Sequence, residues 1–212
     1  MAEETGLIVE IGAWVLDEAA RTLRRWMDAG AVEEAFTMAV NVSAVQLGEG
    51  LVEQATSALA EHGLRPGQLA VELTETALIG SLASAIDVLL GLKRLGVAVV
   101  LDDFGTGYSS LSYLQTIALD ALKIDRSFVA GIGVGSRDAS IVTAIVNMGK
   151  AFGLEVIAKG VETAAQEEQL IAIGCRRAQG YHYSHPVAAD AFLALLRAAR
   201  SPEQGDDSAR RS

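Results

Sequence analysis

Residues 97–107 read VAVVLDDFGTG, an apolar β-rich run that ends in two adjacent carboxylates and passes into glycine. A short apolar run of this kind is the signature of a strand buried on both faces, as in a parallel sheet covered by helices. The carboxylates Asp102 and Asp103 stand at its C-terminal end, and Gly105 and Gly107 permit the turn that follows. Working outward, comparable runs occur at 36–41 (FTMAVN), 69–75 (LAVELTE), 121–125 (ALKID), 155–162 (EVIAKGVE) and 176–181 (RRAQGY). Helical patterns lie between them. Ile8, Ile11, Val15, Ala19, Leu23 and Trp26 recur at helical spacing over 6–29, and Gly30 can end that helix. Further helices end at HGLRPG (62–67) and at RLG (94–96), and others are expected at 137–152, 163–173 and 188–200.

Six strands alternating with amphipathic helices predict parallel βαβ units in the α/β class. The choice between an open doubly wound sheet and a barrel rests on the strand ends. Asn41, Glu72, Asp102, Lys123, Lys159 and Gln179 follow one another at intervals of 31, 30, 21, 36 and 20 residues, each at or just past the end of a predicted strand. A barrel gathers such residues around one mouth, whereas an open sheet spreads them along a line. No GxGxxG follows the first strand and no P-loop is present. The fold expected is a (β/α)8 TIM-like barrel, incomplete because only six strands are legible.

Composition narrows the function. With 212 residues, half of them hydrophobic, the chain is long enough for one sizeable core. The domain is expected over 1–198, with a polar, disordered tail at 199–212, SPEQGDDSARRS being its main part. A formal net charge of −10 argues against a nucleic-acid polymer as partner. No apolar stretch is long enough to span a membrane and no signal peptide is legible, so a cytoplasmic location is expected. Cys175 is the single cysteine, and His62, His182 and His185 share no zinc-like spacing.

Buried strand-end carboxylates need cationic compensation. Two divalent ions would supply it, with Asn41, Glu72, Asp102 and Asp103 as the hard oxygen donors that Mg2+ or Mn2+ prefers. Neighbouring residues on a regular strand face opposite ways, so Asp103 can join Asp102 only if the backbone turns there. Such a site would activate water against a phosphodiester, with a lysine such as Lys123 positioning the water or neutralising charge. The alternative is structural: the carboxylates pair with Lys123 and Lys159 or cap helices. A Schiff-base lyase using Lys123 or Lys159 is a third reading, disfavoured because surrounding carboxylates keep a lysine protonated.

The segments NVSAVQL (41–47), VELTET (71–76), LDDFGTGYSSLSYL (101–114), LKIDRSFV (122–129), GVET (160–163) and GCRRAQGY (174–181) resemble the signature segments of the EAL family, over roughly residues 3–198. The resemblance implies a modified barrel that hydrolyses cyclic-di-GMP to pGpG with two divalent metals. It implies metal ligation by Asn41, Glu72, Asp102 and Asp103, a place beside the attacking water for Lys123, and one near water or substrate for Gln179. It further implies that Glu75 braces the loop after DDFG and that Glu162 is the second glutamate of the EGVET motif.

Two departures from the family pattern stand out. The family's N-terminal strands end in an EAL tripeptide carrying a metal-binding glutamate and a following phosphate-contacting arginine. No EAL tripeptide occurs in this sequence. Lys159 stands where the first, catalytic glutamate of EGVET is expected. The resulting expectation is a degenerate EAL domain, inactive or impaired, acting as a regulatory or interaction module with weakened cyclic-di-GMP binding; the alternative is a working phosphodiesterase. Open barrel edges lead us to expect a homodimer or a partner domain covering them.

Overall fold

The computed structural model describes residues 1–48, 50–80, 82–106 and 117–200. The sheet is made of β1 (Met38–Asn41), β2 (Leu69–Thr74), β3 (Ala98–Phe104), β4 (Ala121–Ile124), β5 (Glu155–Lys159) and β6 (Arg177–Gln179). Every pairing is parallel and the spatial order is the chain order. The helices are α1 (Leu7–Asp28), α2 (Leu51–Glu61), α3 (Glu75–Gly80), α4 (Leu82–Leu95), α5 (Arg126–Ala130), α6 (Arg137–Phe152), α7 (Ala164–Ile173) and α8 (Ala189–Arg200). Sequence and structure agree closely here. The expected strand at 155–162 stops early because Gly160, at φ 75°, turns the chain out of the sheet. The strand expected to reach residue 75 ends at Thr74, since Glu75 opens α3. The last helix runs to Arg200; the expected tail beyond it, like Gly107, lies outside the described residues.

Side-chain parity separates two apolar layers. Val71, Leu73, Val99, Leu101, Leu122, Ile124 and Ala158 belong to the large core between sheet and helices, where Leu16, Leu23, Leu59, Leu92 and Val146 also pack. Residues of opposite parity on the central strands, Ala70, Val100 and Ala121, form a separate small cluster with Ala98 and Ile157 on the other face. Alternation along a strand requires this division, and it puts Glu72, Asp102, Lys123 and Lys159 on the same face as the small cluster.

That face is concave. Trp26 of α1 meets Phe192 of α8 with ring centroids 5.4 Å apart, so the helix preceding β1 packs against the helix following β6. The sheet is a curled half-barrel. Among the described residues, β1 and β6 each pair on one side only. Their concave-face residues Ala39, Asn41, Arg177 and Gln179 are exposed, whereas the central strands are buried.

Helix ends hold the strand ends in place. Thr163 caps α7, its hydroxyl accepting from Gln166 N–H at 3.3 Å while Gln166 Oε1 accepts from Thr163 N–H at 3.0 Å. At the end of β6, a Cβ on Gly180 would fall 2.0 Å from the carbonyl oxygen and 2.3 Å from the nitrogen of Val161. Val161 N–H in turn donates to Gln179 O at 3.1 Å. Gly180→Ala is therefore expected to destabilise the fold by about 1–3 kcal/mol through backbone displacement. Urea unfolding checks this, and a wild-type midpoint would show that the contact does not constrain β6.

Candidate active site

The site is built from strand ends around one mouth. Glu72 and Lys123, on β2 and β4, reach each other across β3. The Lys123 ammonium donates to both Glu72 oxygens at 2.8 and 2.7 Å, and both side chains are at least 90 % buried. Asn41 lies beside Glu72 in the β1–β2 register, and the two share an open cleft of about 520 Å3 with Ser43 and Thr74.

One turn of backbone creates the second cluster. Asp102 faces the concave side, and regular alternation would send Asp103 the other way. Instead Asp103 adopts φ 53°, the only positive value at a non-glycine among the described residues, and the β3–β4 register shifts between Leu101 and Phe104. Such a value is uncommon outside glycine, and aspartate tolerates it better than most residues. The distortion is supported locally: Asp103 N–H donates to Asp102 Oδ1 at 2.9 Å, and Gly105 N–H, at φ 99°, donates to the fully buried Glu75 at 2.9 Å. Lys159, at the end of β5, then bridges both aspartates, 2.8 Å from Asp102 and 2.6 Å from Asp103 Oδ1.

Burial would pull the Lys159 ammonium down, but hydrogen bonds to Asp102 and Asp103 and the charges of both outweigh it, and its pKa is raised above the ordinary 10.5. Its pairing therefore contributes fully below about pH 10.5 and is lost only as pH rises through the higher folded value. A lysine held protonated is a poor Schiff-base nucleophile. Asp125 points to a different task. Its burial is outweighed by hydrogen bonds from Ser127 and Arg126 and by the Lys159 charge, so its carboxyl is lowered while it caps α5.

Gln179 pairs in register with Lys159, and the two line a small cleft of about 170 Å3 together with Glu162, Arg126 and Tyr181. Glu162 is exposed and lies past the end of β5. Arg126 and Tyr181 were not among the sequence-predicted residues. Their adjacency to LKID and to Gln179-Gly180 was the available signal, but neither sits on a strand, so strand-end counting passed over them.

The oxygen donors Asn41, Glu72, Asp102 and Asp103 suit a hard divalent cation in type. Charge does not suit two. The carboxylates of Glu72, Asp102 and Asp103 carry −3 and the ammoniums of Lys123 and Lys159 +2, leaving −1 among the five groups. Each carboxylate already holds an ammonium within 2.8 Å. A two-ion centre does not fit this arrangement unless Lys159 leaves it.

The EAL domain family model matches residues 1–186. The chain belongs to the EAL family. It is 45 % identical over 197 residues to the bifunctional diguanylate cyclase/cyclic di-GMP phosphodiesterase MucR of Pseudomonas aeruginosa, covering 92 % of this chain and 28 % of MucR. It thus spans under a third of that relative's length. Among solved structures, a MucR phosphodiesterase in complex with c-di-GMP superposes with TM-score 0.83 at 43 % identity, covering 90 % of this chain and 83 % of that one. The EAL domain of Mycobacterium smegmatis DcpA gives 0.84 at 41 % identity, covering 92 % and 87 %. Klebsiella pneumoniae BlrP1, solved with manganese and cy-diGMP, gives 0.74 at 30 % identity, covering 86 % and 45 %. Among the described residues of this EAL domain, no helix is long and apolar enough to cross a membrane.

Breaking the deepest pair tests its structural share. Lys123→Met leaves Glu72 buried without its cation and is expected to cost about 3–5 kcal/mol. Combining it with Glu72→Gln should recover much of that loss in denaturant unfolding. A double variant no more stable than Lys123→Met would refute the pairing account.

Proposed function

We propose that this EAL domain is a degenerate member of its family, a regulatory or interaction module in cyclic-di-GMP signalling whose hydrolysis is abolished or severely impaired. The observation that carries this reading is the Lys159 ammonium, hydrogen-bonded to both Asp102 and Asp103. In the proposed family assignment, Asn41, Glu72, Asp102 and Asp103 would hold Mg2+ or Mn2+, and bound ions would supply an activated water and charge neutralisation at phosphate. Lys159 competes for that place. It has the charge of a cation but no coordination position for water. Lys123 and Gln179 remain at the mouth, where an ammonium and an amide can contact a phosphodiester. Glu75 supports the DDFG turn, and Glu162 lines the adjoining cleft.

The persistence of all these groups around one mouth, with the 45 % identity to a protein named as a phosphodiesterase, supports a second reading: an active cyclic-di-GMP phosphodiesterase. In it, metal displaces Lys159 from the aspartates. Two further elements belong to the proposal. The open edges of β1 and β6, together with the 63 % exposed Trp14 on α1, favour coverage by a second copy or a partner domain. The cytoplasm is the expected compartment, given the nucleotide named for the relatives.

Purified protein incubated with cyclic-di-GMP and Mn2+ or Mg2+ is expected to release pGpG at no more than background rate. Turnover matching an active EAL phosphodiesterase assayed alongside would establish the second reading. Lys159→Glu should tighten Mn2+ binding by about tenfold or more, by removing a competing cation and adding an oxygen ligand. Unchanged Mn2+ affinity in calorimetry would remove Lys159 from the account.

A further inference from the structure

A second group of ligand-type side chains lies away from the mouth. The chain leaves β1 at the mouth and must travel back to enter the parallel β2, so the C-terminal end of α2 lies at the opposite end of the sheet. There Glu61, the last residue of α2, and His62, its C-cap, face Asp17 in the middle of α1. One carboxylate oxygen each of Asp17 and Glu61 and a ring nitrogen of His62 lie within 4.8 Å of one another. We infer that Asp17, Glu61 and His62 form a binding site for a borderline divalent transition-metal ion of the zinc class, which clips α1 to the end of α2.

Several independent features support this. His62 Nε2 stands 2.7 Å from Asp17 Oδ1, and the two side chains are only 16 % and 30 % exposed, so these donor atoms are placed and partly shielded from water. The second Asp17 oxygen accepts from Arg21, which also donates to Glu18 at 2.8 Å. That arrangement orients a ligating carboxylate from behind. Glu61 brings a second carboxylate that has no basic partner among the described residues. Asp17, Glu18 and Glu61 carry three negative charges against the one positive charge of Arg21, a balance of −2 that matches a dication, and an imidazole ligand favours zinc-class ions over Mg2+ or Ca2+.

Size agrees as well. Zinc held at about 2.0–2.2 Å by nitrogen and oxygen donors separates its ligands by roughly 3.3–3.6 Å. This lies between the present 2.7 Å contact and the 4.8 Å limit, within reach of rotamer adjustment. Three protein ligands leave the fourth tetrahedral position to water. α1 and α2 pack against each other and bury Leu16, Ala20, Ala55 and Leu59 in the same core, so the ligands project from a packed helix pair. The ion would stabilise that pair independently of any nucleotide bound at the mouth.

The test uses the full chain stripped with chelator and titrated with Zn2+, read by calorimetry and thermal unfolding, and with Co2+, read by its visible absorption. The expected result is about one equivalent bound, a raised unfolding temperature, and a Co2+ spectrum characteristic of nitrogen and oxygen ligands at low coordination. His62→Gln should weaken Zn2+ binding by about tenfold or more and alter the Co2+ spectrum. Glu61→Gln, at an exposed helix end, should weaken it without disturbing the fold, and so decides the matter if His62→Gln does not fold. His182→Gln should bind as wild type. The inference is overturned by absence of a thermal shift, by Zn2+ affinity unchanged in both His62→Gln and Glu61→Gln, or by binding that disappears in Asp102→Asn, which would put the ion at the mouth.

Discussion

Glu72 and Asp102 are 8 % and 6 % exposed, and burying a carboxylate at that depth is costly unless a cation or hydrogen-bond donors compensate it. The mouth of this half-barrel depends on meeting that condition. Lys123 meets it for Glu72, reaching across β3 from β4. Lys159 meets it for Asp102 and Asp103 together. Because the compensation comes from side chains on different strands, it ties β2 to β4 and β3 to β5, and so braces the sheet across its concave face as well as along its hydrogen-bond ladder.

The rest of the fold arranges for these groups to meet. Strict alternation on parallel strands sends one set of residues outward into the helix-covered core and the other into the concave face. Small residues, Ala70, Ala98 and Ala121, occupy the lower part of that face, which leaves the charged groups at its rim. Asp103 departs from that alternation. Its left-handed backbone is held by Asp102 on one side and by the Glu75 bond to Gly105 on the other. Strain held in place by surrounding contacts at a site is a reason to suspect function there.

In the proposed reading, function turns on a competition between cations. The oxygen donors are those a divalent ion would use, yet two ammoniums already satisfy them, and a lysine held above its ordinary pKa does not relinquish its charge near neutrality. On the reading proposed above, chemistry at the mouth would depend on whether an ion can displace Lys159, in a constellation that also lacks the EAL tripeptide. The edges of the curled sheet bear on the same question, since β1 and β6 form the sides of the mouth, where Asn41 and Gln179 are exposed.

Much of this was legible in the sequence. Apolar runs set the strands, their spacing set the parallel βαβ order, and polar residues recurring once per unit set the mouth, because periods of 2 and 3.6 residues are local properties of the chain. The helix expected at 137–152 is found at Arg137–Phe152, where Ser136 caps its start and Gly153 its end. The family was readable from LDDFGTGYSSLSYL and LKIDRSFV. What only the tertiary structure decided is which charge sits on which. Lys123 could have paired with Asp102, and Lys159 could have pointed to solvent; strand order, the register shift at the end of β3 and the curl of the sheet determine that Lys123 takes Glu72 and Lys159 takes both aspartates. The meeting of His62 with Asp17, 45 residues apart, was equally hidden. Pairings between distant residues follow from packing in three dimensions, and linear spacing carries no record of them.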